Sequence, residues 1–331
     1  MKHTGWIGFL MSQAVVAALG LAPFHPVQAQ QPEKLSVGYS GTGITQYTLE
    51  IAKRQGLFRK NGVDPEIVYV GSGTILSQGL IAGSFDVAFS QGSEAIAAKL
   101  RGFDQRIVAT VANHFNHVFL SHPSITSLKQ LKGKKVAVSR FGSGSHFMTD
   151  LVVKDAGLDP KKDVAVLQVG NSSSRMAAIM AQSVDATIMA ADFVPLAKKQ
   201  GFNILIDLAD TKMEYPFLSF HMMTPVIDRN FKLAKAFLKS ISEGIRVLKT
   251  DRNAAKAAIQ AALKTNDAET LEYAAVRAAK VLEVRPFPTV AGVQTVLEEL
   301  SEREPKARTA KFEDFVDLRA LKELEKEGVF K

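Results

Sequence analysis

One local pattern recurs five times along this 331-residue chain: an apolar, β-rich run, a turn of glycine, serine or threonine, and then a helical sequence. The turns are Ser40-Gly41-Thr42-Gly43, Gly71-Ser72-Gly73-Thr74, Ser90-Gln91-Gly92-Ser93, Phe141-Gly142-Ser143-Gly144-Ser145 and Gly170-Asn171-Ser172-Ser173-Ser174. Strands that alternate with helices at this spacing make βα units on a largely parallel sheet, so the pattern requires an α/β fold. Small turn residues let a ligand approach the backbone, and Ser or Thr at a helix start caps its free N–H groups. Those N–H groups and the helix dipole favour a negatively charged or strongly polar ligand. Five such turns in one chain point to the holding of a small molecule.

The first 29 residues read as a secretory leader rather than as part of the fold. Lys2 and His3 precede an apolar stretch from Trp6 to Leu21, and Val27-Gln28-Ala29 places small residues at the two positions that matter, so cleavage is expected after Ala29. The alternative, a membrane anchor, needs about 20 apolar residues, whereas this run is short and ends in Pro23 and Pro26. The remaining chain of about 300 residues is long enough for two lobes with separate cores. It has no cysteine, which excludes disulfides, cysteine-ligated zinc, cysteine nucleophiles and iron–sulfur clusters. The formal charge is +8 for the whole sequence, and Lys2 is the one charged residue of the leader, so the mature chain carries +7. The basic residues are scattered among acidic ones with no stripe interleaved with stacking aromatics, which argues against nucleic acid.

Two similar series follow one another. The first places strands at Lys34–Tyr39, Glu66–Val70, Asp86–Ser90 and Arg106–Ala112, with helices at Ile44–Gln55, Ile75–Ala82 and Glu94–Arg101. The second begins with His117–Ser121 and places strands at Lys135–Ser139, Asp163–Val169, Asp185–Ala190 and Asn203–Leu208, with helices at His146–Ala156 and Ser173–Gln182. Ala82-Gly83-Ser84-Phe85-Asp86-Val87-Ala88 lines up with Ala181-Gln182-Ser183-Val184-Asp185-Ala186-Thr187, as expected for two lobes of one architecture. After one more apolar run, Phe217–Met223, the pattern is helical. Phe231, Ala234, Phe237, Leu238, Ile241, Ile245 and Leu248 keep helical spacing, and further helices are expected over Asp251–Leu263, Ala268–Val281, Thr289–Leu300 and Phe315–Glu327. A helical tail that packs back on the first lobe makes the chain cross between lobes twice, at Asn113–His117 and at Tyr215–Phe220. The expected division is residues 30–115 with 218–331 as lobe 1 and 116–217 as lobe 2.

Several segments resemble a known family. Ile51-Ala52-Lys53-Arg54-Gln55-Gly56-Leu57-Phe58-Arg59-Lys60-Asn61-Gly62-Val63 is similar to an early helix with Gly-Leu-Phe and a second glycine in ABC-transporter substrate-binding proteins of the nitrate/sulfonate/taurine type, a group that includes binders of thiamine precursors. The runs Gly79–Ala88, Ser127–Val138 and Ser183–Ala186 follow in the expected order. The resemblance implies a bilobal periplasmic-binding-protein fold of type II, with two α/β lobes joined by a two-strand hinge and a helical C-terminal tail on lobe 1. It also implies hinge closure on a ligand and delivery to an ABC permease driven by a cytoplasmic ATPase.

By matching the family's strand-end loops, ligand contacts are expected from Ser40, Gly41, Thr42 and Gly43, and from Gly73, Thr74, Ser90 and Gln91. The second lobe is expected to add Gly142, Ser143, Gly144 and Ser145, then Asn171 and Ser172, then Ala191 and Asp192. In an open α/β sheet, ligands lie beyond the carboxyl ends of the strands, where these residues fall. Each taken alone is also explicable as a helix cap or turn glycine. Arg140 and Arg175 flank second-lobe loops and could pair with a carboxylate or sulfonate, although a surface role is the commoner one for arginine. Tyr39, Phe141 and Phe193 could wall an apolar part of the ligand or belong to the core.

None of the loops fits a nucleotide motif. Gln46 stands where a dinucleotide loop needs its third glycine, and no Gly-Lys-Ser/Thr occurs. His114, His117 and His122 form the one histidine cluster, but spacing of three on a strand puts His114 and His117 on opposite faces, so no metal is expected. No paired catalytic carboxylates and no nucleophile elbow emerge, so the expected protein is not an enzyme and needs no cofactor. It is read as an extracytoplasmic, periplasmic monomer that captures a small organic anion, sulfonate- or carboxylate-like. The alternative is an enzyme on the same fold, thiamine-pyrimidine synthase-like or menaquinone-pathway lyase-like.

Overall fold

The computed structural model describes residues 31–211 and 213–331, so the leader expected over residues 1–29 lies outside the described residues. The first series is β1 (Glu33–Tyr39), α1 (Ile44–Arg54), α2 (Leu57–Lys60), β2 (Val63–Tyr69), α3 (Gly73–Ile81), β3 (Val87–Ser90), α4 (Gly92–Leu100) and β4 (Gln105–Ala112). The second is β5 (His117–Ser121), β6 (Lys135–Val138), α5 (Gly144–Asp155), β7 (Ala165–Gln168), α6 (Ser172–Met180), β8 (Ala186–Ala190), α7 (Val194–Lys199) and β9 (Asn203–Asp207). The chain returns through β10 (Leu218–Met223) and ends in α8 (Thr224–Arg229), α9 (Phe231–Thr250), α10 (Arg252–Leu263), α11 (Ala268–Val281), α12 (Val290–Leu300) and α13 (Arg319–Lys326).

The strands form two five-stranded sheets with the same plan, β2-β1-β3-β10-β4 and β7-β6-β8-β5-β9. In each, three parallel strands are followed by an antiparallel one: β10 runs against β3, and β5 runs against β8. The two series match in detail. Asp86 Oδ2 accepts from the Ser36 N–H at 2.9 Å, and Asp185 Oδ2 accepts from the Lys135 N–H at 2.8 Å, so each aspartate ties the chain just before a parallel strand (β3, β8) to the central strand beside it (β1, β6). The residues aligned before them, Gly83 and Gln182, are both left-handed, with φ of 76° and 56°. A glutamine in that conformation is uncommon, and its recurrence at the matching turn marks a shared backbone path.

The C-terminal helices cover the first sheet. Phe237 and Leu238 of α9 are buried, Phe237 stacks on Phe58 with ring centroids 5.7 Å apart, and Gly244 lets α9 approach Ala52 of α1. Two expectations need correction. Strand β2 begins three residues before the expected Glu66 and contains Pro65, which is tolerated because β2 lies at a sheet edge where the missing N–H has no partner to fail. Residues 315–318 are not helical. The Ile107 N–H donates to the Phe315 carbonyl at 2.8 Å, and the Asp317 N–H returns to the Ile107 carbonyl at 2.9 Å, so this segment pairs with the otherwise open edge of β4. Burial of Phe315 and the unpaired edge together outweigh helical spacing there.

The two crossings run side by side. The Tyr215 N–H donates to the Asn113 carbonyl at 2.8 Å and the Phe217 N–H to the Ala112 carbonyl at 3.0 Å. Phe115 stacks on Tyr215 at 4.4 Å. Leu218–Phe220, expected within the second crossing, already belong to β10.

Candidate functional site

All five Gly/Ser turns open at the carboxyl ends of their strands onto one cavity, which encloses about 650 Å³ of space between protein atoms, part of it open to solvent. Ser40, Gly41 and Thr42 line it from the β1–α1 turn, Gly73 from the β2–α3 turn, and Ser90 and Gln91 from the β3–α4 turn. Facing them are Ser143, Gly144 and Ser145 ahead of and within α5, and Asn171, Ser172 and Arg175 at the start of α6. Gly43, Thr74, Gly142, Ala191, Asp192 and Arg140 do not line the cavity. Arg140 and Gly142 are exposed, the latter in a left-handed turn. Of the aromatic candidates, Phe141 is solvent-exposed and Phe193 faces a separate groove beside α7; Tyr69, in ring contact with Tyr39 at 5.4 Å, takes the wall position instead.

The expected capping is split between the lobes. In the second lobe, Ser143 Oγ accepts from the His146 N–H, and Asn171 Oδ1 accepts from the Ser174 N–H at 2.9 Å. In the first, the N-cap residues of α1, α3 and α4 give no side-chain cap, although Gln46 Oε1 accepts from the Gly43 N–H at 3.1 Å; Thr42 Oγ1 and Ser72 Oγ, both at the cavity wall, are buried without a hydrogen-bond partner. Buried polar atoms are nearly always paired in folded proteins, so unpaired hydroxyls around a cavity mark groups suited to a ligand.

Arg175 is a buried cation in the cleft. It is 3 % exposed and makes no ion pair among the described residues. Its guanidinium is held by the carbonyls of Gly170 and Ile188 and by Ser172 Oγ, which use four of its five N–H groups. Burial lowers its pKa to about 10, so it stays charged at neutral pH. A buried cation without a counter-charge is costly.

Three functional candidates escape the motif reading. Glu94, on the first turn of α4, is buried; its Oε1 accepts from the Gly144 N–H of the opposite lobe at 2.9 Å, and burial pushes its pKa up to about 7 against that bond. His117, read as a hinge residue, also lines the cavity; its Nδ1 is unpartnered, and burial, with Arg175 and Arg277 nearby, pulls its pKa down to about 3. Tyr69 is the third. The signal for Glu94 was a carboxylate one turn beyond an expected contact loop, which ordinary first-turn helix preference also explains.

The lobes meet closely around the cavity. Tyr47 of α1 donates to Asp192 Oδ1 at 2.9 Å, and Arg277 of α11 forms a bidentate pair with Asp207 of β9 at 2.8 and 3.0 Å. Asp192 also lies against the Gly43 Cα, where a Cβ would come within 2.8 Å of its Cγ. Each lobe thus sends a carboxylate to a helix start of the other: Asp192 to α1 and Glu94 to α5. Lys154 of α5 adds an ion pair to Glu299 of α12 at 2.7 Å.

The family model described as NMT1/THI5 like matches residues 46–278, most of the chain. The chain belongs to the NMT1/THI5-like family. Within curated relatives it is 27 % identical over 186 residues to a Brucella abortus (strain 2308) protein that carries a provisional name as a binding protein. That match covers 56 % of this chain and 54 % of the relative, so the alignment spans about half of each. Among solved structures, a Bordetella bronchiseptica RB50 protein superposes with a TM-score of 0.79 at 20 % identity, covering 89 % of this chain and 98 % of that one. The alkanesulfonate-binding protein of Xanthomonas axonopodis pv. citri, solved with MOPS bound, has a TM-score of 0.69 at 17 % identity and covers 84 % of this chain and 94 % of its own. At these identities the likeness establishes the fold, the bilobal periplasmic-binding-protein fold of type II. No helix among the described residues is long and apolar enough to cross a membrane.

Proposed function

We propose that this NMT1/THI5-like chain is an exported, non-catalytic solute-binding protein that captures a small organic anion between its lobes and delivers it to an ABC permease with a cytoplasmic ATPase. Lobe 1 is residues 30–115 with 218–331, and lobe 2 is residues 116–217. Arg175 carries the reading. A guanidinium buried at the cavity without a counter-charge gains most from a bound sulfonate or carboxylate, which one remaining N–H and the surrounding hydroxyls can receive. Asp192 and Glu94 occupy the starts of α1 and α5, and the Glu94 carboxyl also lies against Gly73 at the start of α3, which leaves the start of α6, beside Arg175, for the anion. The sulfonate bound by the Xanthomonas protein on the same fold supports this choice of ligand class.

The test is a thermal-shift panel of sulfonates, carboxylates, nitrate and pyrimidines on the mature protein, because a ligand that binds only the folded state raises the melting temperature. Organic anions are expected to bind in the micromolar range or tighter, about −8 kcal/mol or better. If neutral compounds alone shift the protein, the anion reading is wrong.

A further inference from the structure

A carboxyl group and a guanidinium line the same cavity from opposite lobes without pairing. Glu94 is 5 % exposed and makes no ion pair with Arg175 or any other described residue. Its Oε1 accepts from the Gly144 N–H at 2.9 Å, which commits that oxygen as an acceptor. Oε2 has a 3.5 Å approach to the Ser90 hydroxyl and no shorter partner. The group lies against the Cα of Gly73, where a Cβ would come within 2.7 Å of Glu94 Cδ, so packing fixes it at the cavity wall.

The elements around Glu94 bring few charges to it. Tyr215 faces it from the second crossing, and Tyr69 of β2, His117 of β5 and Arg175 of α6 line the cavity opposite. His146 and Asp150 of α5 pair with each other at 3.6 Å, Glu299 of α12 pairs with Lys154 and Arg303, and His221 of β10 meets Gln105. An anion held by Arg175 therefore shares an enclosed space with the Glu94 carboxyl, and one cation stands against two negative groups. Like charges enclosed together are not both kept ionised, and one of them takes a proton. A sulfonate is far too weak a base to take it, which leaves Glu94.

We propose that anion capture takes up one proton, which settles on Glu94 Oε2 and is donated in a hydrogen bond to an oxygen of the bound anion. The proton comes from water or buffer and is returned when the anion leaves. This rests on the anion-binding reading and makes Glu94 a ligand contact that reads an acceptor oxygen. Burial already raises the carboxyl to about 7, whereas His117 is pulled down to about 3, Arg175 stays near 10 and both tyrosines are raised. Glu94 is thus the cavity group that changes charge around neutral pH, and a bound anion raises it further.

Titration calorimetry on the mature chain tests this with ethanesulfonate, benzenesulfonate, benzoate and nitrate, all ionised across the range used. Two amine buffers of different ionisation heat, tris(hydroxymethyl)aminomethane and triethanolamine, count the protons without adding a competing organic anion. Expected uptake is about 0.9 proton per anion at about pH 8 and about 0.1 at about pH 6, with affinity about tenfold weaker at the higher pH. Glu94→Gln, whose amide does not titrate, is expected to take up no proton and to lose that pH dependence. Binding without uptake at about pH 8 overturns the proposal and leaves the anion reading standing. Uptake that persists in Glu94→Gln also overturns it, by placing the proton elsewhere. Infrared difference spectra of the wild type need no variant: anion binding at about pH 8 should convert a carboxylate band to a protonated carboxyl band, and no conversion overturns the proposal. Failure of all four anions to bind at about 10 mM, where even millimolar affinity is visible, overturns both readings.

Discussion

Replacing Gly144 by alanine separates lobe folding from lobe closure. Gly144 is the first residue of α5 and has no left-handed backbone angle, so a methyl group there costs the helix nothing. The cost arises across the cleft. The three atoms nearest to a Cβ at this position all belong to the Gln91 carboxamide of the other lobe, and all would lie inside 3.0 Å. Restoring ordinary carbon contacts of about 3.5 Å requires Gln91 to move by more than about 1 Å. Gln91 Oε1 accepts from the Tyr215 hydroxyl at 3.1 Å, and the displacement sacrifices that bond. The end of the flexible Gln91 side chain can swing aside, which keeps overpacking near the low end of about 1–3 kcal/mol; with a lost hydrogen bond of about 1 kcal/mol, the closed form is penalised by about 2 kcal/mol. Apparent affinity scales with the fraction of closed protein, so ligand binding should weaken by about 30-fold. The assays are calorimetry with the tightest ligand found and small-angle scattering, which should show an expanded ligand-free protein with unchanged circular dichroism. Tyr47→Phe should act alike from outside the cavity, because it removes the side-chain hydroxyl that Tyr47 gives to Asp192 across the lobes. Wild-type affinity and wild-type scattering in Gly144→Ala would refute the idea that this contact governs closure.

Arg175→Met should lower affinity for acidic ligands by about 30-fold or more while leaving the melting temperature unchanged or higher, since an uncompensated buried charge is replaced by apolar volume; a marked fall in melting temperature would make Arg175 structural instead. Glu94 has a raised pKa of about 7 against an ordinary 4.5, so the folded protein holds an extra proton between those values and stability falls as pH rises through that window, by about 3 kcal/mol at most. His117 and His221, both pulled down to about 3 by burial, act in the opposite sense below about pH 6.5. The comparison to measure is therefore wild type minus Glu94→Gln in melts from pH 4.5 to 7.5, and identical profiles would show that Glu94 does not hold the extra proton. N-terminal sequencing of the exported protein should begin at Gln30; an intact leader on exported material would refute the cleavage reading.

The βα plan was legible because it rests on local chemistry. The periods of 2 and 3.6, the glycine turns and the aspartates ahead of the third strands are all set by near neighbours. They placed five loops at strand ends, and in the folded chain residues of all five line one cavity. The sequence could not say which polar groups find partners inside the protein. Asp192 stands in the strand-end loop after β8 like the other expected contacts, yet Tyr47 of α1, 145 residues away in sequence, claims it. Arg140 and Arg175 were indistinguishable as residues beside loops. Only packing exposes the first and buries the second, because α6 lays Arg175 over β8, where the Ile188 carbonyl holds it.

Glu94 shows the same limit from the other side. In the sequence it is an acidic residue in the first turn of a helix, an arrangement that the helix dipole explains by itself. Its role depends on the approach of Gly144 from the second lobe, a contact across 50 residues that no local pattern encodes. The sequence by itself determined that the strand-end loops would bear small residues that leave the backbone accessible. Tertiary structure alone decided which charges those loops leave uncompensated, because burial and pairing belong to the meeting of the two lobes.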